Sequence, residues 1–130
     1  MDWKYVKKLE DDDSVDDFER FADYKFCRSF KECVMSNNGG RPPRRAFDTA
    51  QTVGRELKSF LSFNRGDRET VWKCCEKGAP DGHVPFAIDG FGKLICFGTN
   101  NGNVVFVNHE DMSAEFIAED FDAFLASLYE

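Results

Sequence analysis

The sequence predicts an α+β fold, on three observations. Apolar residues recur at helical spacing through the first part of the chain, up to Asn38-Gly39-Gly40. Runs rich in strand formers are grouped together between Val84 and Val107. A last stripe, Phe121, Phe124, Leu125 and Leu128, falls at i, i+3, i+4 and i+7, the pattern of a helix docked on a core. Helices first, strands grouped, and a closing helix make segregated α and β layers.

The elements follow in order. Trp3, Val6 and Leu9 suggest a short N-terminal helix. Ser14 stands as an N-cap with Asp17 three residues on, and Val15, Phe18 and Ala22 share one helical face. Phe26, Phe30, Cys33 and Val34 mark a further helix, which Asn38-Gly39-Gly40 ends with residues that tolerate positive φ. Arg41-Pro42-Pro43 prevents its resumption. Arg55 to Phe63 reads as a strand, with Leu57, Leu61 and Phe63 at even offsets, and Asp67 to Lys77 as a short helix bounded by Gly78 and Pro80. Val84 to Asp89 is a strand entering the turn Gly90-Phe91-Gly92. Leu94–Phe97 and Val104–Val107 form a hairpin around Asn101-Gly102, the favoured pair for a type I′ turn. Both strands are apolar on successive positions, so this hairpin should be the centre of the sheet with helices packed on it.

A length of 130 residues suits one domain spanning 1–130, and fourteen phenylalanines, three tyrosines and two tryptophans supply ample core volume. Seventeen Lys and Arg against twenty-four Asp and Glu give a formal charge of −7, which argues against a generic nucleic-acid binder. No apolar run approaches the ~20 residues needed to span a bilayer. The start, Met1-Asp2-Trp3-Lys4-Tyr5, lacks a basic-then-apolar leader, so the expected location is the cytoplasm. The charge is uneven. Residues 1–19 carry −5, residues 20–77 carry +6, and residues 78–130 carry −8 with Lys93 their single cation. The acidic candidates for partner contact are Asp11, Asp12, Asp13, Asp16 and Asp17 in the first block, and Glu110, Asp111, Glu119 and Asp122 in the last. Such asymmetry can steer a basic partner to one face. Acidic helix starts, favoured by the helix dipole, are the plainer reading of the same residues.

Nothing in the sequence forms a catalytic constellation, and no catalytic, metal or cofactor site is assigned. Gly90-Phe91-Gly92 and Asn38-Gly39-Gly40 lack phosphate-loop spacing and read as turns. Asp89 before a glycine reads as a side chain satisfying turn amides. His109-Glu110-Asp111 looks ligand-like but has no partner motif, and Arg41, Arg44 and Arg45 make only a small basic loop. The five cysteines (27, 33, 74, 75, 96) contain no CxxC. In a reducing compartment they read as small, mostly buried apolar residues, against a metal site built from Cys74, Cys75 and His83.

Four blocks in order carry a family resemblance: Asn38-Gly39-Gly40-Arg41-Pro42, Val84 to Gly92, Val104 to Glu110, and Ile117 to Leu125. Together they resemble the SUKH superfamily, the domain of bacterial immunity proteins and of fungal cell-wall-synthesis regulators of the Smi/Knr type, over residues 14–130. The chain departs from the family pattern at Phe26-Cys27, where Leu-Pro is common, and at Asp120, where Ser is usual. The resemblance implies a mostly antiparallel central sheet flanked by N-terminal helices and a C-terminal helix. It implies structural roles for Gly39, Gly40, Pro85, Phe86, Asp89, Gly92, Phe121 and Phe124, with Pro85 and Phe86 at strand entry and in the core. It implies binding without catalysis: an immunity protein that neutralises a cognate secreted toxin, with a basic toxin domain such as a nuclease as partner. The alternative is a regulatory or scaffold interaction module. Neither nucleic acid nor membrane is expected as a direct partner.

Overall fold

In the computed structural model, which describes residues 2–108 and 110–130, the order of elements is α1 (Ser14–Ala22), α2 (Arg28–Asn37), β1 (Ala46–Phe47), β2 (Arg55–Phe60), α3 (Val71–Lys77), β3 (His83–Asp89), β4 (Leu94–Gly98), β5 (Val104–Asn108), β6 (Ser113–Ala118) and α4 (Phe121–Ser127). The six strands form one sheet in the order β1-β2-β3-β4-β5-β6, antiparallel at every step. The α+β class and the flanking helices expected from the sequence are what is observed.

Register explains the two-sided burial. Ile95 faces Phe106 and Phe97 faces Val104 across β4 and β5. On that side Phe97 stacks on Phe86 at 4.4 Å and meets Phe30 of α2 edge-on at 5.2 Å. Phe121 and Phe124 of α4 close over Phe86 at 6.0 and 5.6 Å. Leu94 and Cys96 alternate to the opposite side, where the end of α3 lies; a Cβ on Gly78 would sit 3.0 Å from Leu94 Cδ1. The β4–β5 hairpin is therefore interior, although the midpoint of the sheet falls between β3 and β4.

The sheet also curls. The loop between β1 and β2 reaches across to β6, where Ala50 N–H donates to Phe116 O (2.8 Å) and the Thr49 and Thr52 hydroxyls donate to Glu115 Oε1 (2.6 and 3.0 Å). Arg55 lies 3.7 Å from Glu115 and 4.2 Å over the Phe106 ring. At the β1 edge, Ala46 and Tyr129 exchange both backbone hydrogen bonds. Both outer strands thus find backbone partners, which lowers the hazard of edge-to-edge pairing.

Several local expectations are corrected. Trp3 to Leu9 is a strap that bends at Tyr5 (φ 60°), not a helix: Lys4 and Arg41 exchange backbone hydrogen bonds at 2.9 and 2.8 Å. Two buried asparagines clip it down. Asn38 Nδ2 donates to Lys7 O (2.8 Å) and Asn64 Nδ2 to Lys8 O (2.9 Å), while Asn64 Oδ1 accepts from Glu10 N–H (2.9 Å). Backbone groups with such partners have no reason to form helical bonds. Gly40 lets the strap lie close, since a Cβ there would stand 2.9 Å from Val6 Cγ2 and 3.3 Å from Trp3. Ser14 is the first helical residue of α1 rather than its cap, and Asp13 occupies the cap position without a side-chain bond. Phe26 precedes α2, its N–H held by Glu19 Oε2 at 2.8 Å.

β2 stops at Phe60 instead of Phe63, after a register shift between Leu57 and Ser59, and Ser62 turns to pair with Thr70. α3 starts only after Thr70, whose hydroxyl accepts from Lys73 N–H (3.1 Å). Asp67 instead accepts from Ser62 Oγ–H (2.6 Å) and Asn64 Nδ2 (3.2 Å). The β4–β5 turn is not type I′, because Gly102 (φ 73°) has positive φ and Asn101 does not. Gly98 N–H donates to Asn103 O and Gly102 N–H to Gly98 O, closing a four-residue loop in which Asn101 Oδ1 accepts from Asn103 N–H. β1 and β6 had no counterpart in the sequence reading.

Candidate functional site

The acidic candidates divide into three places. Asp11, Asp12 and Asp13 lie in the exposed loop before α1, where Asp11 O accepts from Ser14 N–H (3.1 Å) and Asp11 Oδ1 from Asp13 N–H (2.8 Å). Asp16 and Asp17 lie on α1, and both are engaged by cations. Lys31 of α2 reaches Asp16 Oδ1 at 2.9 Å and Glu19 Oε1 at 3.0 Å, and Arg20 pairs with Asp17. The Lys31 ammonium beside Asp16 holds its carboxyl below the usual value, and the same contacts raise the lysine. Among the described residues, no ion pair involves Asp11, Asp12 or Asp13.

The C-terminal acids do not form one patch. Glu110 and Asp111 sit in the turn between β5 and β6, and Glu119 and Asp122 at the start of α4. The six residues of β6 separate them by roughly 20 Å, at about 3.3 Å per residue of strand. Ser113, through its side chain and then its N–H (2.9 Å to Oδ1), holds the Asp111 carboxyl low; Asp120 caps α4 by accepting from Ala123 N–H (2.8 Å). α1 packs on α3, whereas α4 packs on α2 and β6. His109 lies outside the described residues.

The residues of the family blocks lie in turns, in β3 and in the core. Gly39 (φ 67°) provides the left-handed turn after α2, and Gly92 (φ 86°) the turn after β3. Asp89 is buried, and its Oδ1 accepts from Phe91 N–H (2.9 Å) and Lys93 N–H (2.8 Å), as read from the sequence. Pro85 is the third residue of β3, beside a register shift between Pro85 and Ala87, rather than at the strand's entry. Phe86, Phe121 and Phe124 are in the core.

The cysteines are less buried than the sequence suggests: Cys96 is buried, Cys33, Cys74 and Cys75 are half-buried, and Cys27 is exposed. All five are free thiols. Burial, with the Glu69 carboxylate adding to it, pushes Cys74 up to about 11, and Cys96 is raised further by burial. These are the settings of unreactive thiols. Among the described residues no group of three or more His, Cys, Asp or Glu is placed to hold a metal ion. Nor is any helix among them long and apolar enough to cross a membrane.

One surface had no counterpart in the sequence reading. A groove of about 740 Å³ runs beside β2, lined by Arg41, Arg45, Arg55 and Lys58, with Val53 and Phe91 among its walls. Phe91 is 86% exposed and Val53 80%, the highest values among the exposed large apolar side chains of the described residues. Its signals in the sequence were the small basic loop, of which Arg41 and Arg45 line the groove, and a phenylalanine between two glycines, where a turn needs no apolar side chain.

Comparison with protein-family models matches residues 12–125 to the SMI1-KNR4 cell-wall family, SUKH_6. Comparison with curated proteins gives no match. The matched span begins just before α1, ends inside α4, and contains the whole sheet together with the Asn38-Gly39-Gly40 turn and the Asp89 turn. A fold and ordered motifs that agree along nearly the whole chain leave one assignment: the chain belongs to the SMI1-KNR4 family of the SUKH superfamily.

Proposed function

We propose that residues 1–130 act as one SUKH-like domain and a non-enzymatic protein-binding module of the cytoplasm. The module binds and neutralises a cognate secreted toxin whose active-site groove is basic, a nuclease being the fitting class. The observation that supports this reading is the exposed run Asp11-Asp12-Asp13, three successive carboxylates with no ion pair among the described residues. A nuclease groove is basic because it must hold phosphates, and a run of carboxylates can occupy it as a polyanion. Long-range attraction then speeds encounter, while a few desolvated anchors slow release. Asp16 and Asp17 border this run, and Glu110, Asp111, Glu119 and Asp122 supply alternative acidic edges.

A second reading, a regulatory or scaffold module, is favoured by the cell-wall description of the matched family. Pull-down with the products of neighbouring genes separates the two. Capture of a toxin domain whose activity is then lost supports neutralisation; capture of a non-toxic partner supports regulation. For a captured toxin, reversing Asp11, Asp12 and Asp13 to Lys should slow association. Salt should slow the unmodified protein toward the variant, since exposed charges are screened beyond ~8 Å at physiological ionic strength. Association indifferent to salt and to the reversal would remove the electrostatic mechanism.

A further inference from the structure

Beside β2 the molecule presents apolar and cationic groups together, in a protein whose net charge is −7. Phe91 stands on the β3–β4 turn, which Asp89 locks through the two amides already described and a third bond from Gly92 N–H to Asp89 O (3.3 Å). Val53 stands on the β1–β2 loop, which is braced as well. Asp48 Oδ1 accepts from Gly54 N–H (2.9 Å) and from the Tyr129 hydroxyl (2.6 Å), and Thr49 Oγ1 accepts from Thr52 N–H (2.8 Å). Single exposed apolar residues are ordinary on a protein surface. Two of them on braced loops, flanking one groove, offer contact area whose ordering entropy is already lost in the free protein.

The cations between them are held in place too. Arg41 Nε donates to Lys58 O (2.8 Å) and Arg45 Nη1 to Leu57 O (3.4 Å), and neither has a carboxylate partner among the described residues. Lys58 is paired with Glu69, and Arg55 with Glu115. The acids lining the groove are Glu56 and Asp89, and Asp89 is buried in its turn. Arg41 and Lys58 also line a second groove of about 550 Å³ with Lys7 and Arg68, where Asp67 and Glu69 are the acids, so the cationic strip continues past β2.

We propose that this groove is a second protein-docking surface, separate from the acidic segments, and that it takes an acidic peptide segment carrying an apolar side chain. The carboxylates meet Arg41 and Arg45, and the apolar residue packs between Phe91 and Val53. A nucleic acid or an anionic membrane is the poorer fit. Both extend their charge well beyond this short strip, into the repulsive field of the remaining surface.

The test selects random-sequence peptides displayed on phage against the immobilised full chain, then titrates fluorescein-labelled winners by anisotropy. Selected peptides should combine Asp or Glu with a large apolar residue. Arg41→Glu with Arg45→Glu should weaken them at least about tenfold. Because Arg41 braces β2, Phe91→Ser on its open turn serves as the variant that keeps the fold, and it should weaken the same peptides about fivefold or more. Lys77→Glu, outside the groove, should leave them unchanged. The proposal is overturned by peptides without acidic enrichment, or by binding that Phe91→Ser and the double reversal leave intact. Phosphatidylserine vesicles or a thymidine oligonucleotide binding through the same residues as tightly as the peptides would overturn it too. Because Asp11, Asp12 and Asp13 take no part, failure here leaves the toxin-binding reading to its own test.

Discussion

Replacing Asn38 by Asp changes one amide nitrogen for an oxygen at a site only 2% exposed. Asn38 uses its whole side chain: Nδ2 donates to Lys7 O (2.8 Å) and to Ser62 Oγ (3.0 Å), and Oδ1 accepts from Phe63 N–H (2.8 Å). Asp preserves the last bond and loses the first two. Ser62 cannot compensate by rotation, because its one hydroxyl hydrogen is donated to Asp67 Oδ2 at 2.6 Å. Two lost bonds at about 1 kcal/mol each, and two acceptors left facing a new carboxylate in a desolvated site, put the penalty near 3–5 kcal/mol at neutral pH.

The penalty should depend on pH in a defined direction. Burial raises the introduced carboxyl above its unfolded value of about 3.9, so the folded state binds the extra proton first. The difference in stability between the variant and the unmodified protein therefore shrinks as pH falls through the raised value, by up to about 1.4 kcal/mol per pH unit. It is fully developed above that value. Urea unfolding followed by tryptophan fluorescence, run for both proteins at about pH 5 and about pH 8, measures the difference directly; the Trp72 indole, which donates to Phe63 O at 3.0 Å, reports on the same neighbourhood. A penalty below about 1 kcal/mol that does not change with pH would show that Asn38 does not clip the strap as described.

Phe97→Ala and Phe106→Ala should each cost about 3–5 kcal/mol in the same assay, since both rings are buried and Phe97 also stacks on Phe86; near-neutral values for both would misplace the core. Gly40→Ala should cost about 1–3 kcal/mol and loosen the strap, read as faster proteolysis ahead of α1, whereas Gly66→Ala, with open space around it, should be close to neutral. Under a thiol reagent near neutral pH, mass spectrometry should find Cys27 labelled first and Cys96 only on unfolding, as exposure and the raised Cys74 and Cys96 thiols require. Early labelling of Cys96 would contradict its burial.

Legibility in the sequence followed the range of the interactions involved. The α4 stripe and the β3, β4 and β5 runs were readable because each buries a face whose period is set within a few residues. The Asp89 turn was readable for the same reason, as a carboxylate serving amides two and four residues ahead. β6 escaped because its pattern is inverted. Glu115 faces Phe106 and bonds the β1–β2 loop from inside the curl, while Phe116 is exposed, so alternation of apolar and polar residues points the wrong way.

The candidate site was legible only as charge. The sequence named the acids, but the ion pairs that engage Asp16 and Asp17, and the strand that separates Asp111 from Glu119, are consequences of packing. The basic groove assembles Arg41, Val53, Lys58 and Phe91 from separate segments, and no local pattern encodes that meeting.

What the sequence by itself determined is the class of the fold, its central strands and closing helix, and its family, all carried by local periodicity and by ordered motifs. Tertiary structure decided the conformation of Trp3 to Leu9. Their spacing suits a helix, yet Asn38 and Asn64, dozens of residues away, offer the backbone better partners in a non-helical strap. A segment this short gains little from helical hydrogen bonds alone, because nucleation fixes several residues for one bond. Its conformation therefore falls to whichever distant groups satisfy its amides and cover Trp3, which rests edge-on against Phe60 at 5.0 Å.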